Sequence, residues 1–379
     1  MAINETEVYE ALKTVKDPEL RMGIVDLGMV QSVTTKRNHV GVLVALPATG
    51  YAHRQELTQK VTSALQNVGI AHSNVEVSVM NDNQRSELVS KLRAASPSPG
   101  QQNTAPLGHE EGRPSQFMQS GSRTRILGIS SGKGGVGKSS VSVNMAIALA
   151  KLGREVAIVD ADVYGFSVPK ILGISRSPMI IEDFIIPPVA HDVKCISMGF
   201  FVEENQPIVW RGPMLHKALE QFLVDVYWGK LDYLILDMPP GTGDVALSMA
   251  QYLPRSEIMV VTTPQSAAKR VAQRSAFMAK HINLPIRGVI ENMSFFVGDD
   301  GKKYEIFGSG GGQELADELE VPLLGQIPLV PQLRQGGDTG IPITVSDPSS
   351  TTSVSFDNLA KRIEALGPTR VYRSELSVK

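Results

Sequence analysis

The sequence has very little cysteine and no excess of either charge. Cys195 is the single cysteine in 379 residues, so no disulfide can form within the chain, which is typical of a reducing cytoplasm. The 37 Lys and Arg residues nearly balance the 39 Asp and Glu residues, for a net charge of −2. This balance does not favour a nucleic-acid partner, because binding to the phosphate backbone depends on a basic surface.

Long apolar stretches are also lacking. No run reaches the roughly 18 apolar residues that a transmembrane helix needs, and residues 1–5 lack the basic start of a secretory signal. Near the C-terminus, Phe356, Leu359, Ile363 and Leu366 form an apolar helical stripe, which we interpret as core packing rather than membrane contact. We therefore expect a cytoplasmic protein with no membrane partner.

Composition divides the chain into three regions and a tail. Residues 1–95 combine helical spacing, as at Val8 and Leu12, with the apolar run 41–46, and predict a small α+β module. Residues 96–123 begin Ser-Pro-Ser-Pro-Gly-Gln-Gln-Asn and contain few aliphatic side chains. Such a stretch cannot bury enough surface to offset its ordering entropy, so it predicts a flexible linker. The main domain is then 124–367, and 368–379 is a short tail.

Short apolar runs alternate with helical patterns in the main domain. The strand candidates are 126–129, 156–159, 234–236, 258–261 and 287–290. They are apolar throughout, as expected of strands that are buried on both faces. One helix is predicted at 138–152. The alternation predicts an α/β fold with a mostly parallel sheet and helices on both faces.

One segment of this domain carries a phosphate-binding pattern. Residues 132–139 read Gly-Lys-Gly-Gly-Val-Gly-Lys-Ser and match G-x-x-x-x-G-K-[ST]. Glycines let backbone N–H groups turn toward phosphates, and the following helix points its N-terminus at them. A Gly-rich turn without a ligand is the alternative, but the segment follows an apolar strand and opens an amphipathic helix, as a P-loop does.

The pattern therefore predicts a P-loop NTPase that binds ATP and Mg²⁺. Lys138 would supply charge to the β- and γ-phosphates, and the Ser139 hydroxyl would bind the metal. The expected nucleotide-binding residues of this segment are Gly132, Lys133, Gly134, Gly135, Val136, Gly137, Lys138, Ser139 and Ser140.

Acidic residues follow two of the predicted strands. Asp237 ends one strand and is expected at the carboxyl edge of the sheet, where it can hold Mg²⁺ through water. Asp160 and Asp162 follow the other, and a carboxylate there can orient an attacking water. For each acid alone, a helix cap or a surface carboxylate is an equally good reading. Their shared position after strands of one P-loop domain favours function.

At these residues the sequence resembles the deviant Walker A group of ATPases, because Lys133 occupies the second position of the loop. The group includes the MinD, ParA, ArsA, nitrogenase iron-protein and Mrp/ApbC families. Further runs resemble Mrp/ApbC proteins in particular, at residues 197–200, 209–214, 237–244, 291–294 and 306–308. Residues 17–20 and 26–28 are similar to a small module often fused ahead of Mrp proteins, which also occurs in iron–sulfur assembly factors.

The resemblance implies a homodimer with ATP near its interface, and apoprotein clients or iron–sulfur assembly factors as partners. It implies that Lys133 acts in the active site of the partner subunit and that Asp162 supports hydrolysis. Asn292 is expected to hold the adenine, beside the loop that contains Pro328. By this resemblance the catalytic residues are Lys133, Lys138 and Asp162, and the Mg²⁺ ligands are Ser139 and Asp237.

The chain departs from the family pattern at its cysteines. Most relatives that carry a cluster have a Cys-x-x-Cys motif where this chain has Gly298 and Gly301, and the Asp-Asp-Gly sequence there predicts a tight hairpin turn instead. The small module often has a cysteine where this chain has Tyr51. Cys195 lies in an apolar strand-like run and is expected to be a buried structural thiol. A stable [4Fe–4S] cluster is therefore not expected.

The expected function is a Mg²⁺-dependent ATPase of the Mrp/ApbC family, nominally an iron–sulfur cluster carrier for apoproteins, without the cysteine pair. The alternative is an ATP-driven dimer switch or scaffold that loads a client and never holds a cluster. A MinD- or ParA-like protein that binds membrane or DNA is a third class. It is disfavoured because the charge is near neutral and the tail is not amphipathic.

Overall fold

The computed structural model describes residues 4–36, 39–95, 115–118, 121–163, 165–182, 184–201, 212–241, 243–265, 273 and 279–368. Most of the predicted linker, most of the tail, and residues 209–211 and 242 of the motif runs lie outside these ranges. The described chain forms two compact units. The first comprises residues 1–110, 178–187 and 225–229, and the second comprises 111–177, 188–224 and 230–379.

The strands are β1 (Val30–Lys36), β2 (His39–Leu46), β3 (His72–Val79), β4 (Arg125–Ser131), β5 (Val156–Asp160), β6 (Met179–Ile181), β7 (Phe184–Ile186), β8 (Val189–Ala190), β9 (Val193–Ser197), β10 (Tyr233–Asp237), β11 (Glu257–Thr262), β12 (Ile286–Asn292), β13 (Phe296–Val297), β14 (Lys303–Tyr304) and β15 (Leu323–Ile327). The helices are α1 (Glu5–Lys13), α2 (Arg54–Asn67), α3 (Asp82–Ala95), α4 (Lys138–Lys151), α5 (Val168–Ile171), α6 (Gly212–Val224), α7 (Gly243–Tyr252), α8 (Gly311–Leu319), α9 (Pro331–Thr339), α10 (Ile343–Ser346) and α11 (Thr351–Leu366), with a 3₁₀ helix at Met198–Phe201.

The first unit is built on a three-stranded sheet in the order β1-β2-β3. β1 is antiparallel to β2, and β2 is parallel to β3. The core of this unit combines buried side chains of the sheet and of α1, α2 and α3. Two later segments contribute to the same core, with Ile181 and Ile186 from the β6–β7 hairpin and Tyr227. The small module therefore packs with residues that lie more than eighty positions beyond its last helix in sequence.

The second unit contains an eight-stranded sheet in the order β15-β12-β11-β4-β10-β5-β9-β8. Neighbouring strands are parallel, except that β8 is antiparallel to β9. β4, β5, β10 and β11 are buried along their whole length, which confirms the sequence prediction of strands covered on both faces. Asp237 pairs in register with Ile129 and Asp160, so the carboxyl ends of three strands meet at one edge.

The C-terminal helix α11 is part of the core of the second unit. Phe356, Leu359 and Ile363 are fully buried and join the cluster that contains the apolar side chains of α4, which confirms that the stripe packs inside the protein. Within the described ranges, no helix is long and apolar enough to cross a membrane.

Candidate functional site

The phosphate-binding segment connects β4 to α4 at the carboxyl edge of the sheet. Gly135 and Gly137 have φ of +81° and +79°, a left-handed backbone that favours glycine. A side chain at Gly137 would also collide with the amide nitrogen of Asn292. The third and fourth glycines of this Gly-x-Gly-Gly-x-Gly run are thus required by conformation, and the last one also by the close approach of Asn292.

Lys138, Ser139 and Asp237 meet directly below this loop. Lys138 Nζ lies 2.6 Å from Asp237 Oδ2, and the Ser139 hydroxyl donates to the same oxygen at 2.6 Å. Ser142, one turn along α4, donates to Asp237 Oδ1 at 2.6 Å. Asp237 is fully buried, and its charge is compensated here by the lysine that the motif assigns to phosphates.

The two acids after β5 have different surroundings. Asp160 Oδ2 accepts hydrogen bonds from Ser167 N at 3.1 Å and Val168 N at 3.2 Å, so it anchors the start of α5. Burial and the charge of Asp237 raise the pKa of Asp160 to about 7. Asp162 instead lines the cavity described below, and its Oδ1 accepts a hydrogen bond from Gly165 N at 3.0 Å. Of the two carboxylates, Asp162 is the one whose side chain could contact a molecule bound in the cavity.

A cavity of about 730 Å³ opens above these residues. Its lining includes the predicted residues Lys133 to Ser140, Asp162, Asn292 and Pro328. Gly132 and Asp237 are not among the lining residues. Asp237 is buried behind Ser139, whose hydroxyl donates to it. The segment after β10 also belongs to the site: Pro239 and Pro240 line the cavity, and Gly241 N donates to Ser131 O at 3.0 Å.

One wall of the cavity was not expected from the sequence. It consists of α5 and α9, with Ser167, Lys170, Ile171, Leu333, Arg334, Gly337 and Asp338. The two helices pack against each other, and Gly173 and Gly340 approach so closely that a side chain on either would collide with the other's backbone. More than 150 residues separate them in sequence. A short helix with no phosphate motif gives no signal of that partnership.

Asn292, the last residue of β12, is held against the phosphate-binding loop. Its Nδ2 donates to Val136 O at 2.8 Å, while its buried Oδ1 has no hydrogen-bond partner among the described residues. The next residue, Met293, has φ of +56°, a left-handed backbone that is uncommon for such a side chain. The site therefore contains a fixed amide whose acceptor is unsatisfied.

Lys133 lies at the cavity but does not contact Asp237. Its Nζ donates to Gln265 Oε1 at 3.2 Å, whereas Lys138 occupies the position next to the buried carboxylate. The structure thus gives the two lysines of the loop different partners.

The residues expected to replace the cysteine pair form the predicted tight turn. β13 and β14 are antiparallel, and Gly301 N donates to Gly298 O at 2.9 Å with φ of +74° at Gly301. Cys195 is fully buried in β9. Burial, together with the charges of Asp160 and Asp237, raises the pKa of the Cys195 thiol well above its ordinary value. Within the part of the chain that the structure describes, no three His, Cys, Asp or Glu side chains are grouped as metal ligands.

In the first unit, Tyr51 and Asp17 form a buried polar pair. The Tyr51 hydroxyl donates to Asp17 Oδ1 at 2.7 Å, and Leu20 N donates to the same oxygen at 2.9 Å. Burial raises the pKa of Asp17 above its ordinary value, although these hydrogen bonds act in the opposite direction.

A parallel sheet whose central strand leads into a phosphate-binding loop, with a buried lysine, serine and aspartate beneath it, defines a nucleotide-binding P-loop NTPase. Residues 122–364 match the ParA family described as NUBPL iron-transfer P-loop NTPase, and residues 5–79 match the family of iron-sulfur cluster assembly proteins. The match covers most of the chain, and the chain therefore belongs to this iron-transfer P-loop NTPase family.

Individual relatives agree with this assignment. The chain is 46% identical to the iron-sulfur cluster carrier protein of Mycobacterium tuberculosis over 93% of its own length and 91% of the relative. It is 40% identical to the protein of the same name from Bacillus subtilis, over 96% and 98%. A solved nucleotide-binding protein from Archaeoglobus fulgidus in complex with ADP is 30% identical, with a TM-score of 0.52 over 60% of this chain and 89% of that one.

Proposed function

We propose that this protein is a Mg²⁺-dependent ATPase that acts as a homodimer in iron–sulfur cluster assembly. The observation that carries the proposal is the group of Lys138, Ser139 and Asp237 at the carboxyl edge of the sheet, below a cavity lined by the glycine-rich loop. The relatives named as cluster carriers and the ADP-bound neighbour support the same reading.

The residues present fit adenine and Mg²⁺. The buried Oδ1 of Asn292 has no partner among the described residues, and an unsatisfied acceptor of this kind costs about 1–3 kcal/mol. The amino group of adenine is a donor that would satisfy it, whereas guanine presents an acceptor at that position. Ser139 and Asp237 are oxygen ligands of the type that Mg²⁺ prefers, and the bound ion would neutralise phosphate charge.

The protein residues would then have separate tasks. Lys138 would exchange Asp237 for the phosphates, which releases the carboxylate toward the metal. Asp162 would orient the attacking water from the cavity wall. Lys133 is not committed to Asp237, so it can act on the phosphates of a partner subunit.

The second candidate function concerns whether this chain itself holds an iron–sulfur cluster. A [4Fe–4S] cluster that bridges a symmetric dimer needs two thiolates from each chain, but one chain has one cysteine. That cysteine is fully buried and its pKa is raised. These observations favour an ATP-driven switch or scaffold that loads a client without holding a cluster itself, rather than a carrier that retains one.

Calorimetric titration with ATP and a phosphate-release assay test the ATPase part of the proposal, and iron analysis tests whether the dimer holds a cluster. We expect ATP binding and phosphate release that depend on Mg²⁺, and loss of phosphate release in EDTA. After anaerobic reconstitution and gel filtration, we expect far less than the four irons per dimer of a bridging cluster. A stable four-iron dimer that is unchanged in Cys195→Ser would show ligation without cysteine, and one that is lost in Cys195→Ser would show that this thiol binds iron.

A further inference from the structure

A second buried carboxylate, Glu291, lies immediately before Asn292 in β12. It is 1% exposed, and no Lys or Arg among the described residues forms an ion pair with it. Its carboxylate instead accepts three hydrogen bonds: from Gly312 N at 2.6 Å, from the Ser294 hydroxyl at 2.8 Å and from Gln326 Nε2 at 2.8 Å. A buried charge without a counter-ion is unfavourable unless hydrogen-bond donors surround it. These three hydrogen bonds therefore stabilise the Glu291 carboxylate and fix its position.

The three donors come from three different segments beside the cavity. Ser294 lies in the turn after Asn292, Gln326 precedes the Ile327–Pro328 turn at the end of β15, and Gly312 is in the first turn of α8. The first two segments are also bonded to each other, by Ser294 N to Ile327 O at 3.0 Å and by Leu329 N to Phe295 O at 2.8 Å. Asn292, Met293, Pro328 and Leu329 line the cavity. One carboxylate thus joins both turns that form this end of the cavity.

The backbone next to Asn292 needs such support. Met293 has φ of +56°, and a left-handed conformation at a residue of this type persists only when its surroundings hold it. The Ser294 hydroxyl lies within hydrogen-bonding distance of both the carboxylate and the backbone oxygen of Glu291. Glu291 therefore closes the turn around Met293 and sets the direction of the Asn292 amide.

We propose that Glu291 is a positioning residue for the nucleotide base, which holds the Asn292 amide and the Pro328 turn in the arrangement that selects adenine over guanine. The inference rests on the proposed function and specifies how its base pocket is built. Glu291 does not touch the nucleotide. It acts through Asn292, whose Nδ2 is bonded to Val136 O and whose Oδ1 is left as the acceptor.

The test is Glu291→Gln, which keeps the shape but places an NH₂ group against one of three donors. We expect the Kd of ADP to rise about tenfold, the loss of one good hydrogen bond, and the Kd of GDP to change little. The ADP-over-GDP preference therefore falls about tenfold. The Kd of inorganic tripolyphosphate, which has no base, stays at its wild-type value.

Glu257→Gln is the matched control. Glu257 is another buried glutamate, 1% exposed, at the start of the neighbouring strand β11, where it pairs with Arg125. This variant should lower thermal stability and leave the ADP-over-GDP ratio unchanged. If Glu291→Gln does not fold, Ser294→Ala removes one donor alone and should shift the ratio in the same direction.

The outcomes separate the two levels of the argument. Wild-type protein that binds no ADP would overturn the proposed function, and this inference with it. Wild-type protein that prefers ADP, together with a Glu291→Gln or Ser294→Ala variant of unchanged preference, would overturn the positioning role alone. An equal loss of preference in Glu257→Gln would also overturn it, since general destabilisation would then explain the effect.

Discussion

At the scale of single residues, the site depends on the buried charge of Lys138, which pairs with Asp237 in this structure and would pair with the phosphates of a bound nucleotide. Lys138 Nζ and Asp237 Oδ2 are 2.6 Å apart, and both side chains are nearly inaccessible to solvent. Removal of one partner from a buried pair leaves an uncompensated charge and costs about 3–5 kcal/mol, whereas removal of both costs much less.

We therefore predict that stability and ATP binding respond differently in one series of variants. Lys138→Ala should abolish ATP binding and lower the melting temperature of the nucleotide-free protein. Lys138→Ala with Asp237→Asn should recover much of the melting temperature but none of the binding, because the phosphates still lack their cation. Thermal unfolding and calorimetry measure the two properties. Recovery of ATP binding in the double variant would contradict the role given to Lys138.

Asp17 and Tyr51 give a prediction about pH. Burial raises the pKa of Asp17 in the folded protein, so the folded form keeps a proton that the unfolded chain has lost. The free energy of unfolding contributed by this group is thus greatest below the unfolded pKa, about 3.9, and falls as pH rises through the folded value. The Tyr51 hydroxyl donates to the Asp17 carboxyl group and, once that group has ionised, limits this loss.

Tyr51→Phe should therefore destabilise the first unit more at pH 8 than at pH 5, by roughly 1–3 kcal/mol at the higher pH. Tyr227→Phe is the control, because the hydroxyl of this buried tyrosine donates to the sulfur of Met22, and its effect should be independent of pH. Hydrogen exchange of peptides from β2 and α2 reports the local stability. Equal effects of Tyr51→Phe at both pH values would contradict this prediction, because they would mean that Asp17 does not change its protonation state between them.

At the scale of elements, the β6–β7 hairpin belongs to the core of the first unit. Ile186 is fully buried in that core, whereas Ile180 of the same hairpin is 61% exposed. The hairpin follows α5 in sequence, but its apolar face completes a module that the sequence pattern places within residues 1–95.

We predict that Ile186→Ala costs about 2–5 kcal/mol of stability in the first unit, as for other fully buried aliphatic side chains. Ile180→Ala should cost less than about 0.5 kcal/mol, because it changes an exposed position. Hydrogen exchange in α1 and α2, measured in the full chain, distinguishes the two variants. Similar protection in both would mean that the hairpin is not part of this core.

At the scale of the whole molecule, the proposal requires two copies of the chain. Lys133 lines the cavity and donates to Gln265 rather than to Asp237. A cation supplied from a partner subunit accelerates phosphoryl transfer by about 10³–10⁵ when it is an arginine, and the point charge of lysine should give less.

Lys133→Ala should therefore lower ATP hydrolysis more than ATP affinity, and Asp162→Asn should spare affinity while it suppresses hydrolysis. A mixture of the two variants should regain activity, because a hybrid dimer contains one site with both an intact Asp162 and an intact partner Lys133. Phosphate release is followed against the mixing ratio. Activity at or below the sum of the separate variants at every ratio would contradict action across the dimer.

Much of the second unit could be predicted because its signals are local. The strands β4, β5, β10, β11 and β12 appear as apolar runs, since both faces of a parallel sheet are buried. The glycine-rich loop is contiguous in sequence, so the motif by itself locates its lysine and serine. Asp237 could be placed because the carboxyl ends of parallel strands share one edge.

Tertiary structure alone decided which distant segments meet. The α5–α9 wall of the cavity, the hairpin in the core of the first unit and the three hydrogen bonds to Glu291 each join residues that carry no shared motif. It also gave Asp160 and Asp162, two acids at the end of the same strand, different neighbours, because one is bonded to the start of α5 and the other lines the cavity. A sequence pattern records periodicity and local chemistry, whereas the burial and hydrogen bonding of a side chain depend on neighbours that only the fold brings together.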